Sequence, residues 1–206
     1  MPTTKGKFIV IEGLEGAGKT TAITMINDYL QARSLSNIQT REPGSTKLGE
    51  QIRNVIKNSE DNIDPYAELL LLYAARVQLL QQIIIPALAA GDWVISDRFE
   101  LSTWAYQGGG RGIDYAVIEQ LSAIFLHGFT PDLIFFLDIT PAQGLDRVRI
   151  RGLQKDRIEM ESNVFFDRVY AAYHAKIKTM SNVINIDARL PIESVQQSIV
   201  AALERL

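Results

Sequence analysis

The octapeptide Gly13-Leu14-Glu15-Gly16-Ala17-Gly18-Lys19-Thr20 constrains this chain more than any other stretch. It fits G-x-x-x-x-G-K-[ST], and its flanks supply the strand and helix that this motif requires. Phe8-Ile9-Val10-Ile11 before it reads as a buried strand, and a helix is predicted from Thr20 with Ala22, Met25, Ile26, Tyr29 and Leu30 on one face. Glycines here let backbone N–H groups turn inward around phosphates, and the helix N-terminus adds the positive end of its dipole. The candidate nucleotide-binding residues are Gly13, Leu14, Glu15, Gly16, Ala17, Gly18, Lys19, Thr20 and Thr21. In such a loop the lysine reaches the β- and γ-phosphates and the Thr20 hydroxyl holds Mg²⁺. The bland alternative is an ordinary glycine-rich turn between a strand and a helix.

Strand and helix patterns alternate along the rest of the chain. Apolar runs at 8–11, 38–40, 93–96, 133–137 and 183–186 are predicted strands, and most are continuous enough for parallel strands covered on both faces. One helix opens near Thr46 and carries Leu48, Ile52, Val55 and Ile56. Another opens at Asp64-Pro65, a cap followed by proline at the first helical position. It runs toward Ala90, with Pro86 expected to kink or break it and Gly91 to stop it. Asp114 is a candidate cap for the next, Thr140-Pro141 opens another, and Pro191 begins the last. The expectation is an α/β fold, a five-stranded parallel sheet with helices on both faces, formed by one domain over residues 1–206.

Bulk composition narrows the function classes. A formal charge of −3 argues against a nucleic-acid partner held by net charge. There is no cysteine, which excludes disulfides and thiolate metal sites and fits a reducing compartment. The N-terminus shows no signal-peptide pattern. Apolar runs are interrupted by charge, so no membrane partner is expected and a cytoplasmic location is.

In doubly wound sheets, ligands sit at the carboxyl ends of the strands. Asp97-Arg98-Phe99 closes the third strand: a carboxylate suited to Mg²⁺ or its waters, beside a guanidinium able to grip phosphate oxygens. Asp138 ends the fourth strand and competes for the metal-side role, or is a cap. Arg41-Glu42-Pro43-Gly44 follows the second. The stretch 101–112 mixes hydroxyls, aromatics, an amide and flexible glycines, able to read a base edge and pack its face, or to be a mobile loop. Arg147, Arg149, Arg151, Lys155 and Arg157 crowd around Gly152. A charge run is usually a solvated helix face. Beside a P-loop it reads as a lid over about 147–160, whose arginines stabilise charge on the equatorial oxygens. His127 and His174 lack metal-ligand spacing.

These pieces together resemble thymidylate kinases of the bacterial type, over nearly the whole chain. The resemblance rests on Ile11 through Thr21, Arg41-Glu42-Pro43-Gly44, Tyr73-Ala74-Ala75-Arg76, Asp97-Arg98, Ala105-Tyr106-Gln107-Gly108 and Asp156-Arg157-Ile158-Glu159. It implies a P-loop nucleoside monophosphate kinase fold, a homodimer, and transfer of the γ-phosphate of ATP to dTMP with Mg²⁺. Carried over by position, Glu15 meets the deoxyribose 3′-hydroxyl, and Arg53 and Arg98 hold the dTMP phosphate. Arg76 and Gln107 read thymine with Ser102 and Thr103 nearby, and Tyr106 packs where a ribose 2′-hydroxyl would project. Arg41, Pro43 and Leu72 complete the expected acceptor site, and Thr20 with Asp97 the metal side. Gly16 replaces an arginine that some members carry, so Arg149, Arg151 and Arg157 are expected to supply that charge from the lid; with Lys19 and Arg98 they form the expected catalytic set.

Four departures stand out. Leu72 replaces the phenylalanine that stacks on thymine, Phe99 a tyrosine and Ser45 a second glycine, and the lid is one residue longer. Two rivals follow: a kinase for another nucleoside monophosphate, and a P-loop GTP switch. The second needs Asn-Lys-x-Asp and Asp-x-x-Gly, and neither occurs. The resemblance also implies a cis Glu42–Pro43 bond.

Overall fold

Buried apolar runs need strand partners, and all five predicted runs find them in one sheet, with the less buried runs at 38–40 and 183–186 at its edges. In the computed structural model, which describes residues 6–151 and 156–206 apart from the Arg151 side chain, the strands are β1 (Phe8–Glu12), β2 (Asn37–Arg41), β3 (Trp93–Asp97), β4 (Leu133–Asp138) and β5 (Val183–Asp187). They run parallel in the order β2-β3-β1-β4-β5. Each ends one residue beyond the predicted run, so Glu12, Arg41, Asp97, Asp138 and Asp187 are the last residues of their strands rather than the first beyond them. Register sets Asp97 beside both Ile11 and Arg41. The polar strand ends therefore form one row along the carboxyl edge of the sheet.

Helix boundaries follow their capping signals. After α1 (Lys19–Ala32), Thr46 caps α2 (Lys47–Asn58) by accepting the Gly49 N–H at 2.9 Å. Asp64 caps α3 (Pro65–Leu79) through Tyr66 and Ala67. Pro86 does not break the helix that follows. The chain widens into a π-turn over Leu80–Ile84 and continues as α4 (Ile85–Ala90) until Gly91 at φ 92 ends it. A proline removes one donor and crowds the carbonyl of the preceding turn, and a π-turn there gives the ring room. By length and composition the run Pro65–Ala90 is apolar enough to cross a membrane, contrary to the sequence expectation. It also contributes Leu69, Tyr73, Leu79, Leu80 and Ile84 to the core and carries the buried polar side chains of Glu68 and Arg76.

The stretch 101–112 is ordered, correcting the alternative of a mobile loop. A short helix α5 (Glu100–Thr103) passes into a π-helical stretch, Trp104–Gly110. Its glycines serve close packing rather than flexibility. A Cβ on Gly109 would lie 2.9 Å from the Arg168 carbonyl, and one on Gly110 would lie 2.5 Å from the Phe165 ring. Both neighbours belong to α8 (Asn163–Ile177), a helix that pattern reading did not single out and that Ser162 caps. Its apolar face, Phe165, Phe166, Val169, Ala172 and Tyr173, is diluted in sequence by charged and polar neighbours. Asp114 caps α6 (Tyr115–Leu126), while α7 (Pro141–Arg151) and α9 (Ile192–Leu203) complete the layers.

Candidate active site

The loop between β1 and α1 wraps an open space at the sheet edge. Gly16 has φ 79, and a side chain there would meet the Gly144 carbonyl of α7. The two glycines let loop and helix touch, and Arg147 ties them by donating to the Gly16 carbonyl at 3.3 Å and to that of Ala188 at 3.0 Å. Lys19 donates to the carbonyls of Gly13 and Leu14 at 3.2 and 3.0 Å. Burial, with Arg98 nearby, lowers its pKa to about 8 against the pull of Glu15. Asp97 faces the same space, and its buried Oδ1 has no hydrogen-bond partner among the described residues. Asp138 instead contacts His174 at 3.2 Å and does not line the cavity.

That space is a cavity of about 330 Å³ whose wall includes Glu15, Gly16, Gly18, Lys19 and Thr20 of the loop. Pro43, Arg53, Leu72, Arg76, Asp97, Arg98, Ser102, Thr103, Tyr106 and Gln107 line it as well. Gly13, Leu14, Ala17 and Thr21 complete the loop and the first helical turn without lining the cavity. The Glu42–Pro43 bond is cis, and Arg53 donates to the Pro43 carbonyl at 3.0 Å. Arg98, at φ 73, donates to Glu15 at 2.5 Å, Ser102 at 3.0 Å, and Tyr173 and Tyr106 at 3.2 Å. Tyr106 donates to the other Glu15 oxygen at 2.5 Å. Burial pushes the Glu15 carboxyl up, but Arg98 and Lys19 outweigh it and hold the pKa down at about 2. Arg76 is buried, bonded to Glu42 at 2.7 Å and Thr103 at 3.0 Å, with its third nitrogen unpartnered. Leu72 stands one helical turn before it.

Some expected residues are not brought here. Arg41 turns away and pairs with Glu50 at 3.0 Å, and the same carboxylate accepts from the Ser45 N–H at φ 64. That bond supports a conformation usually left to glycine. Arg149 is exposed beside Asp146 on α7. Arg157 is engaged by Glu68 and by the Ile56 carbonyl at 2.8 Å. The Arg151 side chain and residues 152–155 of the expected lid lie outside the described residues. Phe99, in place of tyrosine, packs edge-on against Phe8 with centroids 5.2 Å apart.

Sequence reasoning missed the carboxylates behind the wall. Glu12 is fully buried and accepts from the Phe99 and Ser102 N–H groups at 2.9 and 3.1 Å, Ser102 Oγ at 2.6 Å and Tyr173 at 2.9 Å. Glu42 and Glu68 are likewise buried. For Glu12 and Glu68 the available signal was a lone charge against an apolar run, since buried charge demands a partner; Glu42, between Arg41 and Pro43, carried no such signal.

A P-loop, an acidic strand end and an arginine-lined cavity on a five-stranded parallel sheet define a P-loop nucleoside monophosphate kinase fold. The family model described as thymidylate kinase matches residues 11–199. Thymidylate kinases from two Legionella pneumophila strains, Corby and Paris, are 53% and 52% identical to it, over 99% of this chain and 97% of theirs. The thymidylate kinase of Baumannia cicadellinicola is 50% identical over 98% of this chain and 96% of its own. The chain belongs to the thymidylate kinase family.

Burial, with Arg98 nearby, holds the Lys19 ammonium at a disadvantage in the folded protein. Its pKa falls from 10.5 to about 8, so the unfolded chain binds the proton more tightly than the folded one. That strain is fully present below pH 8 and fades as pH rises toward 10.5. Lys19→Met should therefore raise the Tm of the ligand-free protein at pH 7, with the gain shrinking as pH rises. It should also lower kcat by roughly 10²-fold or more. Calorimetry across pH checks the first; a Tm gain that grows with pH would reject it.

Proposed function

We propose that this protein transfers the γ-phosphate of ATP to dTMP, giving dTDP and ADP. The observation that carries the reading is the shared cavity, where the P-loop lysine and an acceptor pocket lined by Arg53, Arg76 and Arg98 meet. Fixed arginines offset repulsion between two anions and orient the attacking oxygen. In this reading Arg53 and Arg98 hold the acceptor phosphate, Lys19 neutralises the migrating group, and Glu15 with Tyr106 borders the sugar. Thr20 and Asp97 would hold Mg²⁺. The unpartnered Asp97 oxygen suits that role, because Mg²⁺ is usually bound by one or two carboxylates together with phosphate oxygens. The ion supplies positive charge across the phosphates. The acceptor phosphate is itself the nucleophile, so no general base is required of the chain. We assign the transferred-phosphate role to Lys19 ahead of Arg149 and Arg157, whose side chains face Asp146 and Glu68.

Residues 1–206 are read as one kinase domain with a cytoplasmic location. Exposed Tyr66 and Leu70 on α3 and Ile124 and Phe125 on α6 support a homodimer through this helix face. Sedimentation should give twice the chain mass, and a monomer at micromolar concentration would remove that assignment.

Turnover on dTMP, dUMP, UMP, CMP, AMP and GMP tests the activity. The highest kcat/KM is expected for dTMP, whereas preference for another nucleotide would favour the rival kinase. Leu72 offers apolar area without a π-system. Leu72→Phe should lower the KM for dTMP several-fold, if stacking of roughly 0.5–1.5 kcal/mol is restored, and leave the KM for ATP unchanged. A raised KM for dTMP would show a pocket fitted to leucine.

A further inference from the structure

Glu68 has no role in the proposed reaction, yet it is completely buried on α3 at the cavity wall. Gln107 donates Nε2 to its Oε1 at 2.8 Å. Arg111 reaches both oxygens, at 3.2 and 3.3 Å, and Arg157 reaches Oε2. Arg111 also pairs with Glu161, so the two guanidinium groups face two carboxylates. Burial pushes Glu68 up, but Arg157, Arg111 and Gln107 outweigh it and keep the carboxyl below its ordinary pKa.

An ionised carboxylate can only accept hydrogen bonds. The Gln107 atom facing it must then be the NH₂ group, which fixes the otherwise ambiguous amide. Its carbonyl oxygen is left as an acceptor without a hydrogen-bond partner among the described residues, on a side chain that lines the cavity. Arg76 presents the opposite character: its unpartnered buried nitrogen is a donor. A base that suits both offers an N–H next to a carbonyl, as thymine does at N3 and O4. Cytosine offers the reverse, an acceptor next to an amino group.

We propose that Glu68 is a specificity-determining positioning residue, locking the Gln107 amide so that the cavity accepts a keto pyrimidine edge and rejects an amino one. The inference rests on the reading in which Gln107 and Arg76 meet the base. It requires no direct contact between Glu68 and substrate. Freed from the carboxylate, Gln107 could turn its amide over and satisfy either edge.

The test is kcat/KM for dTMP and for dCMP in the wild type, Glu68→Gln, Gln107→Met and the double variant Glu68→Gln/Gln107→Glu. Glu68→Gln should narrow the preference for dTMP over dCMP by roughly tenfold or more, the scale set by one mispaired buried hydrogen bond. The double variant restores a fixed acceptor at position 107 and should recover preference for dTMP. A purely structural Glu68 would lower both substrates in proportion, and an unchanged ratio in Glu68→Gln overturns the proposal. An unchanged ratio in Gln107→Met would instead show that Gln107 does not read the base, and a wild type that prefers another monophosphate would overturn the functional reading itself. Should Glu68→Gln fail to fold, neutron diffraction on wild-type crystals with dTMP decides. Deuterons of Gln107 directed at Glu68 support the lock, and deuterons directed at the base refute it.

Discussion

The P-loop side of the cleft depends on the buried carboxylate of Glu12. It ends β1, takes one backbone N–H from the turn after β3 and one from α5, and takes hydroxyls from α5 and α8. Arg98 turns through a left-handed backbone conformation inside this ring of bonds. Such a conformation is costly for a residue with a side chain and persists only where its surroundings over-determine it. Glu12 sits 4.0 Å from the Arg98 guanidinium, which Glu15, Ser102, Tyr106 and Tyr173 also aim. One carboxylate at the sheet edge thus ties the end of β1 beside the P-loop to the segment after β3 and to α8, beside the cavity.

The same device recurs around the cavity. Arginines facing an anion must be held in place before the anion arrives, and unpaired buried charge is expensive. The guanidinium groups of Arg98, Arg76 and Arg53 that line the cavity each have a hydrogen-bonded partner. Arg98 has Glu15, Arg76 has Glu42, and Arg53 has the Pro43 carbonyl. Among the described residues, the buried side-chain atoms left unpartnered are one Arg76 nitrogen, one Glu42 oxygen and one Asp97 oxygen, all on side chains that line the cavity. Preorganised groups of this kind act without reorganising when charge develops.

Much of the fold was legible because its signals are local. Thr46, Asp64, Asp114 and Gly91 acted where their chemistry predicts, and Asp97-Arg98 stood at the strand end where a doubly wound sheet gathers ligands. The rest required the third dimension. Glycines 108–110 look flexible in sequence and are packing sites, because Tyr115 of α6 lies against the first and α8 against the other two. Arg157 looks like a lid cation until Glu68, nearly ninety positions earlier, is seen to engage it. Arg41 and Arg53 carry the same charge, but only Arg53 lines the cavity. Sequence spacing cannot separate such pairs, since the partner carboxylate lies on another element.

If donor and acceptor share this cleft, phosphoryl transfer passes directly between them. Incubating the protein with γ-labelled ATP, Mg²⁺ and dTMP should move the label into dTDP, with one ADP formed per dTDP and no label left on the protein. Label appearing instead as inorganic phosphate, or retained covalently on the chain, would contradict direct transfer within the cleft.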